Sequence, residues 1–139
     1  MRTEFLRAGL WSWAEPGHLG VPLIGMLGWG YFALGAELIE QGDRARSAGQ
    51  FAEAARHYEA AVQSFRASAG ERAPDTLAAQ SRMVLVLGEL GRNAEQLKLA
   101  EEVLKLHVEV HGPRHTDTIT AMNNLALAYR GLGRVDEQL

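Results

Sequence analysis

Leu90-Gly91-Arg92-Asn93-Ala94-Glu95-Gln96-Leu97 returns 42 residues later as Leu132-Gly133-Arg134-Val135-Asp136-Glu137-Gln138-Leu139, with six of the eight residues unchanged. The same interval carries Asp75-Thr76 to Asp117-Thr118 and Leu85 to Leu127. It also reaches back from Gly91, Ala94, Glu95 and Gly112 to Gly49, Ala52, Glu53 and Gly70. A fixed period of this size marks a solenoid, in which each unit buries its apolar face only against its neighbours. Such a chain offers a long surface suited to holding another molecule.

Within the period the spacing is helical. Between Phe51 and Phe65 the apolar residues fall at 51, 54, 55, 58, 61, 62 and 65, an i, i+3, i+4, i+7 stripe. Met83, Val84, Leu87 and Leu90 keep similar phase, as do Leu97, Ala100, Val103, Leu104 and Val108. Met122, Leu125, Ala126 and Tyr129 do so once more. Asp75 and Asp117 stand where a side chain can cap exposed backbone N–H groups. Gly49, Gly91 and Gly133 stand where tight helix-to-helix turns are needed. The spacing predicts helices over about 33–47, 51–68, 75–89, 93–110 and 117–131, with a fragment beginning near 135. They pair into stacked hairpins, and the fold class is all-α.

Composition narrows the function. At 139 residues there is about one domain's worth of chain, and 47% hydrophobic residues argue for a globular fold. A net charge of -3 gives no basic face for nucleic acid. Without cysteine there is no disulfide frame and no thiolate metal site, which fits a reducing, cytoplasmic setting.

The residues resemble tetratricopeptide repeats. Gly49-Gln-Phe-Ala-Glu-Ala54-Ala-Arg-His-Tyr58-Glu-Ala-Ala61 looks like the second half of such a repeat, where Ala54, Tyr58 and Ala61 make the close helix contact, and Gly42 falls where that family places a small residue in its first helix. Asn124-Leu125-Ala126-Leu127-Ala128-Tyr129 followed by Gly133 looks like the first half. The 42-residue period and the run Gly112-Pro113-Arg114-His115-Thr116-Asp117-Thr118 are similar to kinesin-light-chain-type repeats. The sequence departs from that pattern at Thr116, where proline is usual, and at Gln96 and Val103, where alanines are usual. These changes are expected to leave the fold intact but to loosen the helix contact. HEAT and armadillo repeats have similar periods, but the Ala54/Tyr58/Ala61 pattern and the glycine after each first helix favour the tetratricopeptide type. The resemblance implies a right-handed superhelix of hairpins over about 33–74, 75–116 and 117–139, the third truncated.

It also implies a site. In tetratricopeptide arrays the first helix of each hairpin lines a concave groove that binds a protein or peptide partner. Laid on this chain, the phase puts Glu40, Asp43 and Arg46 on that wall in the first unit, with Ile39 and Ser47. Arg82 and Glu89 follow in the second with Ser81 and Leu85, and Asn123, Asn124, Leu127 and Arg130 in the third. An amide at Asn124 can donate and accept at once, as a peptide group requires. The mixed charges select no single charge of ligand.

Other chemistry finds less support. His107, His111 and His115 are four apart, but Gly112-Pro113 breaks the helix before the third, so no metal is assigned. Neither a phosphate loop, nor a nucleophile elbow, nor an HExxH run is present, so no cofactor and no enzyme activity are expected.

Residues 1–32 hold all three tryptophans, and no Asp, Glu, Lys or Arg occurs from Pro16 to Ala36. That stretch is read as a cap on the first repeat, a leader, or a membrane anchor over residues 16–36; the last makes a membrane-tethered adaptor the alternative function. A regulatory fragment of a larger signalling protein is a further alternative. Because the last unit's first helix lacks most of its partner, self-association through that incomplete repeat is also expected.

Overall fold

The computed structural model describes residues 16–133, with side-chain surroundings from residue 29 onward. Five helices follow one another: α1 (Pro16–Ser47), α2 (Phe51–Ala69), α3 (Pro74–Glu89), α4 (Asn93–His111) and α5 (Thr116–Gly131). Four of them match the spacing to within a residue at each end. The helix expected from residue 135 lies outside the described residues, as do residues 1–15.

The exception is α1, which runs unbroken from Pro16 across the boundary expected near residue 32. Proline suits the first position of a helix, where its missing N–H leaves no intrahelical bond unmade. The uncharged stretch behind it shows no polar face, so its sequence carried no amphipathic signal of a helix. Among the described residues no helix is long and apolar enough to cross a membrane, α1 included.

Hairpin turns repeat with the sequence. Gly49, Gly91 and Gly133 take φ of 79°, 78° and 74°, the left-handed conformation that side chains disfavour. Gln50 N–H donates to the Ala45 carbonyl at 2.8 Å, and Arg92 N–H to that of Leu87 at 2.9 Å, closing the preceding helices by the same six-to-one bond. Between hairpins, Thr76 Oγ1 donates to the Gly70 carbonyl at 2.7 Å, and 42 residues on Thr118 Oγ1 donates to that of Gly112 at 2.8 Å. Both threonines are fully buried, so each hydroxyl locks one hairpin onto the next.

Helix starts differ from expectation. Asp75 and Asp117 do not cap: Ala73 and His115 hold the cap positions of α3 and α5. The two aspartates sit inside the first turn, where their charge favours the helix dipole instead. At α5 the His115 ring does the capping, its Nδ1 accepting the Asp117 N–H at 3.1 Å.

Packing inside each hairpin exchanges large for small residues. Ala54, Tyr58 and Ala61 are completely buried, as the resemblance implied. Tyr58 lies against Gly42, and Phe65, seven residues on, lies against Gly35, seven residues back. In the second hairpin the sizes invert: Val84 stands at the place of Gly42, and Ala100 at that of Tyr58, both buried in one cluster. Gln96 likewise replaces the Ala54 position, and Gly88 lies directly opposite it. Gln96 and Val103 are both buried. The contact expected to loosen at these two positions is therefore filled.

Candidate functional site

The hairpins stack so that α3 packs on α5, whereas α2 and α4 make no comparable contact. α1 and α3 meet through side chains instead, and two consecutive clefts run along the first helices.

The first cleft, about 540 Å³, lies between α1 and α3. Asp43 and Arg46 are one turn apart on α1 and meet Arg82 and Glu89 on α3. Arg46 donates through Nε and Nη2 to the two oxygens of Glu89, at 2.8 and 2.9 Å. Arg82 Nε donates to Asp43 Oδ1 at 3.0 Å. The same oxygen accepts the Tyr58 hydroxyl at 2.5 Å, across from α2. Burial first, and then the Asp43 carboxylate, push the Tyr58 phenol far above its usual range. The hydrogen bond to Glu89 holds the Arg46 guanidinium above its ordinary value. Two guanidiniums and two carboxylates therefore neutralise one another within this wall. Phe51 and Leu85 supply its apolar part.

The second cleft, about 250 Å³, lies between α3 and α5. Arg82 and Leu85 line both clefts, so the two adjoin along α3. Across from them stand Thr120 and Asn124, with His107, His111 and Asp117 also lining the cleft. Asn124 is 8% exposed.

Of the residues expected on the wall, Asp43, Arg46, Arg82, Glu89 and Asn124 line the clefts, together with Ser47, Ser81 and Leu85. Glu40, Asn123, Leu127 and Arg130 are exposed but line neither cleft. Asn123 and Leu127 stand 42 residues after Ser81 and Leu85, so by the repeat they hold the same places one unit further along. Ile39 is a correction: it packs into the core against α2, four residues (one helical turn) before Asp43. Several lining residues are ones that spacing does not assign to the wall: Phe51 and Tyr58 in the first cleft, and His107, His111, Asp117 and Thr120 in the second. A buried tyrosine needs a partner for its hydroxyl, and Asp43 on the facing helix was the available signal.

Comparison with known proteins adds one match. Residues 75–137 match the family model described as Tetratricopeptide repeat. No curated protein gives a match. The matched stretch takes in α3, α4 and α5, and the α1–α2 hairpin uses the same turn and the same antiparallel packing one period earlier. Residues 75–137 of this chain are thus tetratricopeptide repeat sequence.

Proposed function

We propose that the chain is a protein-interaction module that takes an extended segment of a partner along the clefts of α1, α3 and α5. Tetratricopeptide repeats generally mediate protein–protein contacts and are typically non-enzymatic. The observation that carries the reading is that the two clefts adjoin at Arg82 and Leu85, with the Asn124 amide beside them. Because the charges of the first cleft are paired with each other, recognition falls to Leu85 and to hydrogen bonds from amide and hydroxyl groups and from the Nη groups of Arg82, whose bond to Asp43 is made through Nε. The partner segment is then near neutral and extended, with its backbone unpaired. Glu40, Asn123, Leu127 and Arg130 extend the same wall on either side. The kinesin-light-chain-like subtype belongs to this proposal, on the 42-residue period and the Gly112 to Thr118 linker, as does a cytoplasmic setting.

The test compares a bound partner's affinity for the wild type and for Arg82→Ala with Asn124→Ala. Arg82 forms only an exposed ion pair, worth about 0–1 kcal/mol to the fold, so helicity should hold. An affinity loss on the order of tenfold or more is expected, since truncated contact groups commonly cost over about 1 kcal/mol. Equal affinities with equal helicity would put the binding face elsewhere.

A further inference from the structure

We propose that His111, His115 and Asp117 form a site for one first-row transition-metal dication of the zinc type. In sequence, Gly112-Pro113 separates the last histidine from the helix that carries the other two. In the fold that break does the opposite. Gly112 turns the chain back with φ of 86°, and His115 lands on His111 with ring centroids 4.2 Å apart. His107 stacks behind His111 at 5.5 Å. One nitrogen from each of His111 and His115 and one carboxylate oxygen of Asp117 lie within 4.8 Å of one another. The Asp117 oxygen is 4.0 Å from His111 Nε2 and 3.9 Å from His115 Nδ1.

Structural duties account for part of this cluster only. His115 caps α5 through Nδ1, a bond to the Asp117 N–H that coordination by the same nitrogen would exchange for the ion, and Asp117 sits in the first turn of that helix. His111 has no such duty: its Nε2 is buried and has no hydrogen-bond partner among the described residues. His107 borders the same cleft with a side chain 5% exposed, and its Nδ1 is equally without a partner. Buried polar atoms left unpaired cost free energy, and native folds rarely keep two together. A cation held between His111 and Asp117 supplies the partner that His111 Nε2 lacks.

The donor set selects the class of ion. Two imidazoles and one carboxylate suit zinc and its first-row neighbours, while calcium and magnesium favour all-oxygen shells. Zinc bonds of about 2.0–2.1 Å place tetrahedral ligand atoms roughly 3.3 Å apart. The three groups must draw in by about 1.5 Å at most, and His115 and Asp117 are exposed enough to rotate. Three protein ligands leave a fourth position for water or for a side chain of a bound molecule. Because the cleft that His111 and Asp117 border also holds Asn124, that position lies beside the proposed peptide path. The metal proposal does not depend on that path.

The experiment uses the full chain stripped with chelator and titrated with zinc by calorimetry, and with cobalt by visible absorption. One ion per chain is expected, with zinc displacing cobalt. His111→Ala and Asp117→Asn should each weaken binding by about tenfold or more, while His57→Ala on α2 should leave it unchanged. Histidine resonances of the wild type give a readout that needs no variant to fold: zinc should shift those of His111 and His115 and not those of His57. Absence of saturable binding below about 100 µM zinc, equal affinity across the variants, or a shift confined to His57 would each overturn the site.

Discussion

Gly42→Ala should destabilise this protein, although alanine is the better helix former. Position 42 is interior to α1, so the exchange alone should gain about 0.8–1.0 kcal/mol of helix propensity. Against that gain, the added methyl carbon would stand 2.5 Å from Tyr58 Cε1 and 2.7 Å from Cδ1. The ring has nowhere to retreat, since Tyr58 is fully buried and its hydroxyl is tied to Asp43, which Arg82 holds in turn. Overpacking of a tight core costs about 1–3 kcal/mol. Dragging the hydroxyl off a carboxylate forfeits about 1.5–3 kcal/mol more. The net expectation is a loss of about 1.5–5 kcal/mol, measured by urea unfolding followed by circular dichroism. Two controls separate the terms. Gly30→Ala, on the same helix with open space around it, should be neutral or stabilising by up to about 1 kcal/mol. In the Tyr58→Phe background the ring is no longer tethered, so Gly42→Ala should cost less. A Gly42→Ala protein as stable as the wild type would refute the packing argument.

Further expectations rest on the same geometry. Gly88→Ala should cost less than Gly42→Ala, because the group that its methyl meets is the flexible end of Gln96 and not a locked ring; parallel urea curves decide the order. Thr118→Val keeps the shape but removes the bond to the Gly112 carbonyl, and should cost about 0.5–1.5 kcal/mol with Thr118→Ser recovering part of it in thermal unfolding. His107 should make stability depend on pH. Burial, and then the neighbouring His111, lower its pKa below the usual value, with Asp117 opposing and His115 adding a little. The unfolded chain therefore binds more protons as pH falls through about 6.5, and stability drops in that window. His107→Leu should flatten the slope between pH 7.5 and 5.5, and an unchanged slope would exclude the residue as its source.

The repeat was legible because each hairpin must close on its neighbour in the same way, so Gly49, Gly91, Gly133 and the Thr76/Thr118 pair recur at one interval. What periodicity cannot carry is chemistry that differs between units. Gly42 with Tyr58 and Val84 with Ala100 solve the same packing problem with sizes reversed, so neither pair predicts the other. The ion pairs of the first cleft join residues 39 and 43 apart and belong to a single unit junction. Ile39 was misplaced because one turn of α1 separates the wall from the core. The start of α1 stayed hidden because a helix without charged residues shows no amphipathic face. His115 was set apart from His111 by a glycine that was read as a breaker, although the same glycine folds the two rings together.

Site-specific photo-crosslinking tests the interaction reading most directly. A photoreactive residue placed at Ser81 sits in the second cleft, and one placed at Arg56 sits on the opposite, α2 side of the stack. With a bound partner present, the account predicts adducts at position 81 that disappear with Asn124→Ala and Arg82→Ala, and none above background at position 56. Adducts at position 56 with none at position 81 would contradict it.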